Sequence, residues 1–228
     1  MFVRILAENP RSPYTFEMLI DYVFELFEAN IGLQTQHLPP LACQKGCPSC
    51  CSLRVTVTAP EIFLLADYVR QIDAAPSGAA IGLGRRIAHV NRSTRGLSET
   101  ERLALRKPCP FIVRGVCIVH PVRPLACRGL ASFDRQACAR AVAGRDVEVP
   151  LSEPHLALRG LMQSALQSAL RSAGLSWGLY EMNHGLALAL DRKGRDAAWL
   201  VGSDSLAQAA IEFDWTGAGD QFDALLAT

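Results

Sequence analysis

Eight cysteines hold most of the chemistry open to this 228-residue chain. Four sit within nine residues as Cys43-x-x-x-Cys47-x-x-Cys50-Cys51. The other four, Cys109, Cys117, Cys127 and Cys138, are spread through a segment rich in Pro and Gly. A two-residue gap such as that from Cys47 to Cys50 lets the chain curl so that both sulfurs face one centre, as in zinc knuckles and iron–sulfur loops. Gly46 and Pro48 suit that turn, and Cys43 lies one helical turn before Cys47, within reach of the same point. Cys50 and Cys51 differ, because adjacent side chains tend to diverge. One of them is expected to serve a second centre, a multinuclear cluster or a free redox role. Tetrahedral zinc and a cubane cluster each take four thiolates, so the eight cysteines fit two four-ligand sites or one multinuclear site with spare thiols. Arg106, Lys107, Arg114, Arg123 and Arg128 are expected to lower thiol pKa values and to offset thiolate charge. Inert burial as a small hydrophobe is the competing reading, and it weighs most on Cys138.

Compartment decides what a cysteine can do. Met1 to Pro10 has no apolar run of signal-peptide length, and Asp21, Glu25 and Glu28 interrupt the first apolar stretch well short of the roughly 18 to 20 residues of a membrane span. The expectation is a soluble, cytoplasmic protein without membrane contact. In a reducing cytosol, clustered cysteines favour metal or redox chemistry over disulfides. The length suffices for a core without staples. A net charge of +1 argues against a general nucleic-acid binder, although residues 43 to 128 carry 13 bases against 5 acids and the last 33 residues carry six acids and no base.

No Ser/His/Asp signature, HExxH or phosphate-binding Lys motif is present, and the carboxylates nominate no acid–base pair. Trp177, Tyr180, Met182 and His184 read as core, His89 as surface and His37 as a minor ligand candidate. Gly78 to Gly84 resembles a nucleotide loop but follows no convincing strand, and so reads as a flexible linker.

The elements that must position the cysteines are helical. Phe16, Leu19, Ile20, Val23, Phe24, Phe27 and Ile31 recur at helical spacing after Pro13, predicting a helix over about 13–31. Leu53 to Thr58 alternates like a short strand. Thr58-Ala-Pro-Glu61 is a capping box that opens a helix over about 60–73. A basic helical region spans about 85–106, broken near Gly96, with Ser98 to Glu101 as a second capping signal. Leu156 to Leu170, Trp177 to Leu190 and Ser203 to Phe213 read as further helices. The expected fold is mainly α, with little or no β: a helical frame around two irregular cysteine-rich loops that converge on a metal centre. Residues 1–150 form the cysteine-cluster domain, and 151–228 a helical extension packed on it as one globular unit.

Cys43-Gln-Lys-Gly-Cys-Pro-Ser-Cys-Cys51, Arg54-Val-Thr-Val-Thr-Ala-Pro-Glu-Ile62, Pro108-Cys-Pro-Phe111, Gly115-Val-Cys-Ile118 and Arg123-Pro-Leu-Ala-Cys-Arg128 follow one another in an order that resembles the YkgJ-type cysteine-cluster family, a zinc- or iron-chelating domain. The resemblance covers about residues 40–140. It implies that Cys43, Cys47, Cys50, Cys51, Cys109, Cys117 and Cys127 occupy the family's cysteine positions, with Cys138 at a less regular last one. His120 stands where the family often shows an aromatic, and reads as a neutral replacement or an extra ligand. The implied function is chelation of zinc or iron, an iron–sulfur cluster included, with a metal ion as the partner and a protein partner open. One alternative is a redox or methyl-transfer enzyme dependent on that centre, since flagellin lysine N-methylases have a similar block. A zinc-ribbon-like nucleic-acid module is the other.

Overall fold

The computed structural model describes residues 1–10, 12, 14–212 and 217–219. Among these residues, eleven α-helices and two small two-stranded sheets make the protein mainly α. After α1 (Phe2–Glu8), the predicted first amphipathic helix is α2 (Thr15–Gln34). Its apolar stripe, Phe16 to Ile31, is buried as the spacing requires, and Pro13 lies outside the described residues. The helix runs past Gly32, whose surroundings are open, and ends where Thr35 Oγ1 bonds the Ile31 carbonyl at 2.7 Å.

The strand expected over 53–58 is shorter. β1 (Thr56–Val57) leads directly into α3 (Ala59–Ala74), which opens on the Thr58–Glu61 capping box. Next come α4 (Pro76–Ala79), α5 (Leu83–Thr94) and α6 (Glu99–Leu105), the last opened by the Ser98–Glu101 box. The stretch read as a flexible linker is ordered. Gly78 packs on the Ile72 carbonyl, and both oxygens of Asp73 accept from the first amides of α5, Leu83 N at 2.8 Å and Gly84 N at 2.9 Å. That helix start already holds its anion, so it is no nucleotide loop.

The second cysteine segment contains the hairpin β2 (Ile112–Val113) and β3 (Val116–Cys117), then the short helices α7 (Leu125–Arg128) and α8 (Arg135–Val142). Beyond it run α9 (Glu153–Ser172), β4 (Tyr180–Glu181), α10 (Met182–Asp191) and α11 (Arg195–Leu200). Two expected helices differ. Tyr180–Glu181 pairs antiparallel with β1 before α10 begins, and Ser203 to Glu212 contains only a 3-10 turn at Ala207–Ala209. Asp204 is occupied in accepting from the Tyr180 hydroxyl at 3.0 Å, and Ile211 N bonds Leu179 O at 2.8 Å, which extends the sheet edge instead of a helix. Phe213 lies outside the described residues.

One core joins these elements, from Ile5 to Ala209, so residues on both sides of position 150 share it. α2 packs on α3 and α9, and α10 on α3 and α5. The rings of Phe16, Phe63 and Trp199 stack within 4.9 to 6.0 Å of one another. Gly185 lets α10 approach α3 closely, because a Cβ there would stand 2.4 Å from Ile62 Cδ1. Among the described residues no helix is long and apolar enough to cross a membrane.

Candidate metal centre

The first cysteine loop is a chain of tight turns. Gly46, at φ 86°, allows Cys47 N to bond Gln44 O at 3.0 Å, and Cys51 N bonds Pro48 O at 2.9 Å as a 3-10 turn forms over Ser49–Ser52. The second segment is tied to it directly. Cys109 N donates to Cys51 O at 2.6 Å, and at the outer end Ala42 N bonds Ser132 O at 2.9 Å while Ser132 N reaches Cys43 Sγ at 3.3 Å. Cys117 is placed by the hairpin opposite Ile112, with Arg114 and Gly115 both left-handed at its tip, as a two-residue hairpin demands. α7 carries Cys127. α8 packs on the Ser49–Ser52 turn and brings Cys138 to it. All eight cysteines are free thiols and line one cavity of about 1050 Å³.

Three polar struts anchor these loops to the helical frame. Arg86, on α5, donates to the carbonyls of Pro110 at 2.8 Å and Ile112 at 2.7 Å, fixing the root of the hairpin. Arg128 lies 3.8 Å over the Phe24 ring and pairs with Glu28 at 2.6 Å, tying α7 to α2. Glu61 is buried. One oxygen accepts from Thr58 N and Thr58 Oγ1, both at 2.8 Å, and the other from Leu125 N at 2.9 Å. The capping glutamate of α3 therefore also holds the first turn of α7, two residues before Cys127. Burial drives its pKa up against the pull of these donors and of Arg128.

The thiols do not follow the expected electrostatics. Burial raises Cys109 to about 12 and also raises Cys117, Cys127 and Cys43. Arg102 pulls Cys109 down and Arg123 pulls Cys117 down, but both effects are smaller than burial. Only Cys50 is lowered, to about 7, because the Cys51 thiol donates a hydrogen bond to it; the same bond raises Cys51. Cys50 is the favoured thiolate of the set, and its charge raises Cys43, Cys109, Cys117 and Cys127.

The cations are also distributed differently. Arg114 sits at the exposed hairpin tip, and Arg106 bonds the Ala143 carbonyl, so neither faces the cavity. Lys107, Arg123 and Arg128 do line the cavity, joined by Lys45, Arg54, Arg102 and Arg159, with no Asp or Glu among the described lining residues. Sequence reasoning missed Arg54, Arg102, Arg159 and His155, because nothing in their local spacing marks them. Lys45, inside the first cysteine loop, had only its position to recommend it. His120 is exposed at the cavity edge with a ring nitrogen 2.9 Å from the Arg123 guanidinium, and His37 is exposed and lines no part of it. Tyr180 and Met182 are core, as expected.

Soft thiols without carboxylates suit zinc or iron rather than calcium or magnesium. Cys43, Cys47, Cys50, Cys51, Cys109, Cys117, Cys127 and Cys138 share the cavity, yet among the described residues no three Cys, His, Asp or Glu side chains are gathered closely enough to hold an ion. Burial is the largest cause of the raised pKa values of Cys109 and Cys127, and charge on neighbouring thiols adds to it. Comparison with family models, with curated proteins and with solved structures gives no match to this chain.

Proposed function

We propose that the protein chelates zinc or iron, the latter as ions or as an iron–sulfur cluster, through its clustered cysteines in a reducing, cytoplasmic setting. The observation that supports this is the convergence of eight free thiols, from segments almost 60 residues apart at their nearest, on one carboxylate-free cavity. Cys51, Cys109, Cys117 and Cys127 are joined through the Cys109 N–Cys51 O bond and the struts at Arg86 and Glu61, and would form the inner ligand set. Cys43, Cys47 and Cys138 lie toward Ser132 and α8 and would form the outer one, with Cys50 between the two. Zinc bound there would contribute folding free energy, and an iron–sulfur cluster a one-electron redox centre. Chelation requires the thiols to lose protons and draw in, while the struts hold the roots of their loops.

A second reading, a redox or methyl-transfer enzyme or subunit dependent on that centre, is favoured by one feature: about 1050 Å³ is far more space than metal ions need and matches small-molecule sites. Elemental analysis and absorbance of anaerobically purified protein test the proposal. Stoichiometric zinc in a colourless protein, or iron with a thiolate charge-transfer band, supports it, and metal-free protein that takes up neither after reconstitution overturns it.

A further inference from the structure

We propose that the α9 side of the cavity is a binding subsite for the oxyanion end of a small organic anion, a carboxylate or a phosphate ester, beside the Cys127 turn. Four of the seven lining cations, Lys45, Lys107, Arg123 and Arg159, form no ion pair with a carboxylate among the described residues; Arg54, Arg102 and Arg128 pair with Glu99, Glu181 and Glu28. Two of the four flank one buried histidine. Arg159 stands one helical turn after His155 on α9, on the same face, and Arg123 is close enough to His155 to act on its charge, as is Glu28, whose carboxylate is paired with Arg128.

The remaining polar groups at this end fix their orientation. His155 is 8% exposed, with Nδ1 bonded to Ser152 Oγ at 2.8 Å, which leaves Nε2 for another partner. Arg159 Nε is buried and has no hydrogen-bond partner among the described residues, a costly state for a guanidinium. Its stem lies against Gly129, where a Cβ would stand 2.3 Å from Arg159 Cβ, so the missing side chain at position 129 sets Arg159 beside the turn that carries Cys127. Planar guanidinium donors with an imidazole match the donor needs of a carboxylate or phosphate, and Phe111, Val119 and Leu130 offer apolar wall for the body of such a ligand. This inference goes beyond metal chelation and stands without it.

The test is calorimetric titration of the reduced, metal-free full chain, at fixed ionic strength, with inorganic phosphate and separately with butyrate. Saturable one-to-one binding of either probe is expected, weakened at least about tenfold in Arg159→Met, which keeps the stem over Gly129, and unchanged on substituting the exposed Arg4 of α1 by Met. Phosphate binding alone would assign the site to phosphate esters, and butyrate binding alone to carboxylic acids. Should Arg159→Met fail to fold, Arg123→Met on the cavity edge gives the same readout. Absence of saturation by both probes, or wild-type affinity in the folded variants, overturns the proposal.

Discussion

Replacing Glu61 by Gln tests whether a helix cap also holds the Cys127 turn. The carboxylate accepts three hydrogen bonds, two from Thr58 and one from Leu125 N, and both of its oxygens face a backbone N–H. An amide has one acceptor oxygen, so whichever way it turns, its NH2 meets a buried backbone donor. One N–H left without an acceptor costs about 1–3 kcal/mol. Relief of the buried charge, whose cost is visible in the raised pKa, returns part of this, leaving a net loss of about 2 kcal/mol at neutral pH. The sign with pH follows. A carboxyl whose folded pKa is raised stabilises most below the ordinary glutamate range, and loses that contribution as pH rises through the folded value. Wild type should therefore exceed Glu61→Gln by more at low pH than at neutral pH. Urea unfolding of the reduced, metal-free chain measures the loss, and alkylation mapped by mass spectrometry reports on Cys127. Thr58→Ala is the control: it removes one bond of the cap, costs about 1 kcal/mol and leaves Leu125 N held, so Cys127 should stay protected. If Glu61→Gln matched wild type in both stability and Cys127 protection, the strut would have no energetic content.

Other outcomes follow from the same geometry. Alkylation of the metal-free protein should show Cys50 reacting first, with a pH midpoint near about 7, and Cys51→Ala should move that midpoint toward the ordinary thiol range; an unmoved midpoint would exclude the shared hydrogen bond as its cause. Because burial keeps Cys109, Cys117 and Cys127 protonated at neutral pH, zinc uptake should release about one proton per ligating thiol and tighten as pH rises, measurable by titration in buffers of different ionisation enthalpy. Gly185→Ala should cost about 1–3 kcal/mol by overpacking against Ile62, and Ile62→Val in the same chain should recover part of it; an additive double mutant would place the strain elsewhere.

Periodicity exposed the frame because apolar spacing and helix caps are local signals. The stripe of α2 and the two capping boxes carry their signal within a few residues, and both boxes form as the sequence indicates. The cavity wall carried no such signal. Arg86 belonged to a helix recognisable only as basic, and that its guanidinium reaches two carbonyls of the hairpin root is a matter of tertiary placement. Glu61 was legible as a cap, but its second bond crosses 64 residues. Ser203 to Phe213 read as a helix, yet Asp204 is used by Tyr180 and the chain joins the sheet edge at Ala210. The thiol electrostatics could not be read from neighbouring charges in sequence either, since what governs them is burial, and burial belongs to the fold.

The placement of the struts bears on how a metal would act here. Arg86, Glu61 and Arg128 hold backbone or turn positions next to the cysteines and bond no sulfur. They restrict the loops without spending the thiol donors. The bonds that cysteine side chains make include the weak ones of Cys43 to Ser132 and Cys47 to Ser49. Fixing the loop roots in advance removes much of the chain entropy that ligand convergence would otherwise cost. On the proposed function, a substitution at a strut should then weaken metal affinity through this entropy even though it removes no ligand. A substitution at an inner thiol such as Cys127 should remove a ligand and leave the stability of the metal-free chain nearly unchanged. If Glu61→Gln and Cys127→Ser altered affinity and metal-free stability in the same proportion, the division between strut and ligand would fail.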